Sequence, residues 1–401
     1  MNTVSAPRAT RRQLVPFAVL SASYFAHIGF FNPYLPLWLK HLGLSLWMIG
    51  LLTSMQAFTR VFAPYIWGWL SDRNGARVPL MRWCAGMALL FSLGLLWHPS
   101  PWWLAAVLFG MFIHTSAMMP MSEAAMAHLV SHMGTLDVRR YGRIRLWGSV
   151  GFIAAVVGLG LLLDVMPIRF LPLFILTFLI LIWLSSLSLT DVGDKKSDGQ
   201  RENFLRLVLQ PTILCFLVAS FLLQLSHGPY YTFYTLYLVE NYGYSSTASG
   251  LLWALGVLAE VGIFIVMHQL LRRFSLRSLM LFSLIVTCGR WLLIGYCADS
   301  LALLLFAQLL HACSFGIAHA VSIELVRTHF KGANQGQAQA LYSSLSFGAG
   351  GAAGALIGGL LWDYSASTTF LLAALSVLVA FIICVFWLRP VHQVGREIHR
   401  E

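Results

Sequence analysis

The chain has 401 residues, of which 58% are hydrophobic and only 10% charged, with a mean hydropathy of +0.75. Such a composition excludes an ordinary water-soluble domain and points to a membrane protein. The net charge of +11 would suit a nucleic-acid partner if it formed a patch, but it is spread over alternate connections between apolar runs, which is a topology signal.

In chain order the apolar runs cover 13–38, 46–70, 80–98, 101–124, 144–164 and 167–188, and then 211–238, 247–270, 278–297, 300–324, 335–360 and 367–388. Each is long enough at 1.5 Å per residue to cross a hydrocarbon layer of about 30 Å. They lack the polar alternation of barrel strands, so an all-α fold of transmembrane helices is expected. No cleavable leader is evident, and the first run is read as helix 1. Basic residues such as Arg11, Arg73, Arg139, Arg272 and Arg327 fall on one set of connections, with Lys40 and Arg169 on the other. That bias predicts both termini in the cytoplasm; the expected location is a bacterial inner membrane.

The polar stretch "LTDVGDKKSDGQRENFLRL" separates the first runs from the last. The expected organisation is a bundle over 1–188, a cytoplasmic linker over 189–210 and a second bundle over 211–401. A shift of about 200 positions lays His27 on His227, Tyr34 on Tyr234, Gly43 on Gly243, Ser45 on Ser245 and Arg60 on Glu260, as an internal duplication would. Two such bundles are a recurring transporter plan, with a solute site near the midplane.

Charges inside apolar runs carry the functional expectation, because an ion at the bilayer centre costs at least about 2.5–3.5 kcal/mol and therefore faces a partner or a wet cavity. Glu260 lies in the middle of "SGLLWALGVLAEVGIFIVMHQLL", and Arg290 on the following antiparallel run falls at similar depth. A Glu260–Arg290 pair is expected, either structural or switching its proton during transport. Arg60, His27, His227 and His311 also fall toward mid-span, and His311 is the second proton candidate. Arg60, Arg145 and Arg290 offer planar donors for a carboxylate. Tyr34, Trp147, Tyr230, Tyr231, Tyr234 and Trp253 offer aromatic surface or packing. "SFGAGGAAGALIGG" and "GSVGF" predict close helix contact through small residues. The six cysteines have neither metal-ligand nor disulfide spacing, and no nucleophile-base set or phosphate loop suggests an enzyme.

"GWLSDRNGAR", Gly68 to Arg77, resembles the loop motif of the major facilitator superfamily. Gly68, Ser71, Asp72, Arg73, Gly75 and Arg77 match it, while Ala76 departs where a basic residue is common; the match implies a conformational latch. Gly68 is expected to let its helix approach a neighbour and Gly75 to permit a tight turn. "GFFNPYLPLWLKHLG", "YGRIRLWGSVGF", "HGPYYTFYTLYL", "GVLAEVGIF" and "GRWLLIG" are similar to the lactose permease branch, most of all to the phenylpropionate permease family. The resemblance implies twelve helices in two pseudo-symmetric bundles and a proton symporter that imports an aromatic monocarboxylate such as 3-phenylpropionate. It also implies solute contact by Glu123 and Arg145, and sets Glu260, Arg290 and His311 on the pattern's helix 8 carboxylate, helix 9 arginine and helix 10 histidine. Charge and aromatic character add Arg60, Trp147, Tyr230, Trp253 and Glu260 as expected binding residues, with Glu260, Arg290 and His311 as the expected proton-coupling set. Ser314 stands where the lactose permease pattern has a proton-carrying glutamate, so that proton route is not expected to carry over whole. The alternatives are a sugar or nucleoside symporter, and a non-transporting sensor or assembly factor. The expected partners are a solute, protons and lipid around a monomer, with no cofactor or metal.

Overall fold

In a computed structural model the described residues are 10–74, 77–98, 100–132, 135–190 and 203–390. Among the described residues, twelve helices of 20 to 32 residues are long and apolar enough to cross a membrane. They are α1 (Arg12–His41), α2 (Leu46–Ser71), α3 (Arg77–Leu96), α4 (Pro101–Val130), α5 (Arg139–Leu163) and α6 (Ile168–Leu187), then α7 (Pro211–Tyr242), α8 (Ser246–Arg273), α9 (Leu276–Tyr296), α10 (Leu301–His329), α11 (Asn334–Leu361) and α12 (Ala366–Trp387). The fold is all-α. A two-residue ladder of Ser131–His132 with Thr135–Leu136 joins α4 to α5, and a short helix, Phe204–Val208, precedes α7.

The chain divides into two compact units, Met1–Lys196 and Ser197–Glu401, a division that falls inside the interval 189–210. Within the first unit α1 packs on α5 and α6, α3 on α4 and α6, and α2 on α4; within the second α7 packs on α11 and α12, α9 on α10 and α12, and α8 on α10. The two sets are the same with six added to each label, so the duplication suggested by sequence extends to the packing.

Local devices repeat as well. Gly43 after α1 and Gly243 after α7 both take positive φ, 80° and 67°, the left-handed ending that glycine adopts without a Cβ penalty. Two residues later the hydroxyls of Ser45 and Ser245 accept from the amides of Met48 and Ala248 and cap the next helix. The guanidinium of Arg82 donates to the carbonyls of Ser186, Leu187 and Leu189 at the end of α6. That of Arg277 donates to Val385 near the end of α12. In each unit a cation thus meets the negative end of a helix and its unpaired carbonyls.

Glycine sets the tightest helix contacts. A Cβ on Gly29 would stand 2.8 Å from the Phe152 carbonyl oxygen, and one on Gly151 would collide with the backbone of Ala22, which is why α1 and α5 approach so closely. In the other unit Gly228 on α7 and Gly354 on α11 occupy each other's side-chain space. The small-residue runs therefore make the close contacts expected of them.

Several helices are interrupted. α4 breaks at Ser116 and Ala117, because Pro120 has no amide with which to bond the Ser116 carbonyl. α10 passes through a π turn at Ala312–Ile317, and α11 through another at Ser344–Gly350.

Candidate functional site

Each unit holds one cluster of charged and aromatic groups inside its helices. In the first unit Arg145 on α5 donates from Nε to Oε1 of Glu123 on α4 at 2.8 Å, and both side chains are about a third exposed, at 36% and 35%. The Arg145 guanidinium lies over the half-buried Phe25 ring, 4.2 Å from its centroid. Arg60 on α2 lies close enough to the Tyr24 hydroxyl to act on it electrostatically, as do Glu123 and Arg145. Three residues expected at the site, from three different helices, therefore act on one tyrosine. The Glu123 contact uses only Nε. Among the described residues no acceptor is recorded for the two terminal nitrogens of Arg145, so its planar fork retains donors for a ligand.

Other expected residues of this unit serve differently. Trp147 is 53% exposed. Tyr34 is buried and its hydroxyl donates to the Val156 carbonyl at 2.7 Å, so it ties α1 to α5. His27 is buried, and neither ring nitrogen has a partner among the described residues.

The second cluster is centred on Arg290 of α9, whose side chain is fully enclosed. Its Nε donates to the Ala307 carbonyl at 2.9 Å, and its terminal nitrogens reach Ser314 Oγ and Gln308 Oε1 at 3.4 Å each. The rings of Tyr230 and Trp291 hold the guanidinium at 4.4 and 4.6 Å. Burying a cation is tolerable only when it is compensated in this way. Gln308 Oε1 also accepts from Tyr230, and its amide donates to the Tyr234 hydroxyl at 2.7 Å. Trp253 on α8 donates to Thr235 and packs on Tyr230. Tyr230 and Trp253 are therefore both spent on an internal network, at 1% and 5% exposure.

Glu260 lies beside this network. Gly256, one turn earlier on α8, would place a Cβ only 3.4 Å from Gln308 and His311, so α8 and α10 approach there and bring Glu260 Oε2 to 3.8 Å from His311 Nε2. That separation is an electrostatic contact rather than a hydrogen bond. The carboxylate is 22% exposed on its side chain and the imidazole 7%. The hydrogen bonds of Arg290 go to Ala307, Gln308 and Ser314 of α10, the helix that also carries His311 opposite Glu260. The Nδ1 of His227 on α7 contacts the Leu223 carbonyl, and its ring lies 6.5 Å from that of His311.

The loop motif is only partly described, since Gly75 and the side chain of Asp72 lie outside the described residues. Gly68 departs from expectation: a Cβ there would meet nothing within 4 Å. Ile66 and Trp69 beside it are exposed, so among the described residues this glycine makes no close helix approach, although Trp67 next to it donates to the Ile113 carbonyl of α4. Arg73 sits 5.5 Å from the Trp69 ring, and Arg77 opens α3.

Sequence reasoning missed Gln308, Trp291 and Phe25, and singled out Ser314 only for the glutamate it replaces. Gln308 had a usable signal, an amide three residues before His311 in an otherwise apolar run. Phe25 had none, because one phenylalanine in a membrane helix looks like any other.

Comparison with known proteins adds the family context. The MFS_1 like family model matches residues 19–372. A protein of Escherichia coli (strain K12) named "Probable 3-phenylpropionic acid transporter" is 30% identical over 366 residues, covering 90% of this chain and 94% of the relative. The "Maltose permease" of Geobacillus stearothermophilus is 26% identical, covering 87% of this chain and 88% of its own. Among solved structures, the nucleoside transporter NupG superposes with a TM-score of 0.82 at 16% identity, covering 94% of this chain and 99% of that one.

Proposed function

Since the chain belongs to the MFS_1 like family, and is therefore a multi-pass membrane transporter of the secondary type, we propose that its solute is a small aromatic monocarboxylate, imported together with protons. 3-Phenylpropionate, the compound in the name of the Escherichia coli relative, represents the class. The observation that carries this reading is the Arg145 site, where a partly exposed guanidinium with free donors stands over the Phe25 ring at 4.2 Å. A carboxylate can bridge the two terminal nitrogens of that fork, while an adjoining aromatic ring finds apolar surface in Phe25. Arg60 adds a second positive charge near Tyr24.

Proton coupling is assigned to Glu260 and His311, which face one another at 3.8 Å. A carboxylate and an imidazole at this distance inside a membrane helix can hold one proton between them, and ionisable groups at such depth mark proton pathways. Arg290, with its donors bound to α10, orients that helix and sets the local potential. Alternating access between the two units, in an inner membrane with cytoplasmic termini, completes the proposal.

A second reading, a sugar or nucleoside symporter, draws on the partly exposed Glu123, whose carboxylate can accept from solute hydroxyls. Counterflow in proteoliposomes separates the two. Labelled phenylpropionate should exchange, whereas lactose and uridine should not; exchange of either of the latter without phenylpropionate would refute the aromatic-acid reading.

A further inference from the structure

Away from these clusters, the second unit contains a small polar pocket between α7, α10 and α11. Its walls include Ser220, Gln224, Ser314, His319, Tyr342 and Ser346. The cavity is about 10 Å³, at the lower end of the space that one water molecule requires. The two π turns supply part of the wall, Ser314 from Ala312–Ile317 and Ser346 from Ser344–Gly350. π turns gather at functional places in helices, and here two of them border the same pocket.

An unpartnered buried hydroxyl marks the pocket as a binding site. Ser220 is 3% exposed, and its Oγ has no hydrogen-bond partner among the described residues. Leaving such a group unsatisfied costs about 1–3 kcal/mol, and a buried water is the usual remedy. The pocket also joins two networks. On one wall Ser314 Oγ accepts from Arg290 at 3.4 Å. On another the Tyr342 hydroxyl meets His319 Nδ1 at 3.4 Å. His319 lies eight residues beyond His311 on α10, about 12 Å along the axis toward the Arg327 end. The rings of His311, Phe315 and His319 stack along that face.

We propose that this pocket is a water site that carries protons between the Arg290–Ser314 network and the Tyr342–His319 pair, with His319 as a second proton acceptor of the unit. The inference rests on the proton-coupled reading given above. An excess proton reaches the pocket as hydronium. The Tyr342 hydroxyl takes that proton while passing its own to Nδ1 of His319, in the tautomer whose hydrogen is on Nε2. Water and phenol are restored, and the positive charge ends on the imidazole.

The test uses the full chain in proteoliposomes, with whichever of phenylpropionate, lactose or uridine the wild-type protein exchanges and a trapped pH-sensitive dye. Tyr342→Phe removes only the hydroxyl, Ser220→Val fills the pocket without breaking a side-chain bond, and His319→Gln keeps polarity while removing the titratable ring. Each should lower solute-coupled proton uptake about tenfold or more, equivalent to about 1.4 kcal/mol, while counterflow remains close to wild type. A structure that resolves waters should show one in hydrogen-bond contact with Ser220 Oγ and Tyr342. Unchanged proton uptake in the variants, or parallel loss of uptake and counterflow in all three, overturns the inference, as does a dry pocket. Wild-type exchange without any proton movement instead overturns the coupling reading, and a water at Ser220 then persists without a proton role.

Discussion

Arg145→Gln separates solute binding from stability. The Arg145–Glu123 contact involves side chains that are 36% and 35% exposed, so solvent screens it and its loss should cost about 0–1 kcal/mol. Stacking over the half-buried Phe25 ring adds about 0.5–1 kcal/mol. The folded state should therefore lose little more than about 1 kcal/mol. A bound carboxylate would lose two charge-assisted hydrogen bonds of about 1.5–3 kcal/mol each. Even with partial compensation by the glutamine amide, about 3–4 kcal/mol disappears, and KM should rise roughly 100-fold or more. Arg290→Gln is the contrasting variant: its guanidinium is fully enclosed and packed between two rings, so its removal should destabilise the protein by at least about 2 kcal/mol. The assays are concentration-dependent uptake of labelled phenylpropionate and thermal unfolding in detergent. If Arg145→Gln leaves KM near wild type, or lowers stability as far as Arg290→Gln does, the carboxylate site has been placed wrongly.

Other outcomes follow from the same geometry. Glu260→Gln should abolish accumulation driven by an acid exterior yet spare counterflow, because the amide cannot exchange a proton with His311 at 3.8 Å; acid-driven accumulation at the wild-type level would falsify the coupling role. Gly354→Val should lower the unfolding temperature sharply, since the new side chain would occupy backbone space of α7 and overpacking costs about 1–3 kcal/mol or more; a temperature equal to wild type would rule out the tight α7–α11 contact. Gly68→Ala should be neutral or stabilising by up to about 1 kcal/mol because its surroundings are open, whereas Gly43→Ala, at φ 80°, should destabilise by about 1 kcal/mol. Thermal scans should place the Gly68 variant at or above wild type and the Gly43 variant below it, and a loss at Gly68 equal to that at Gly43 would contradict the open geometry.

Much of the site was legible because charge in an apolar run is costly. Glu260, Arg290, Arg145 and Glu123 stand out in a chain with 10% charged residues, and lipid admits such groups only with partners. Choosing the partners was harder. Helix spacing put Glu260 and Arg290 at a common depth, but depth says nothing of azimuth, and it is His311 that stands 3.8 Å from the Glu260 carboxylate. Gln308 joins Arg290, Tyr230 and Tyr234, yet an uncharged amide gives only a faint signal in the chain.

The sequence by itself determined the twelve apolar helices, their duplication and the ions that must be compensated, because length, hydropathy and repeated caps act locally along the chain. Which arginine is enclosed, which keeps donors free and which hydroxyl is left unpaired were decided only by tertiary structure. Those properties depend on distance and burial among helices remote in sequence, where a rotation of one helix about its axis exchanges a buried hydrogen bond for an open one.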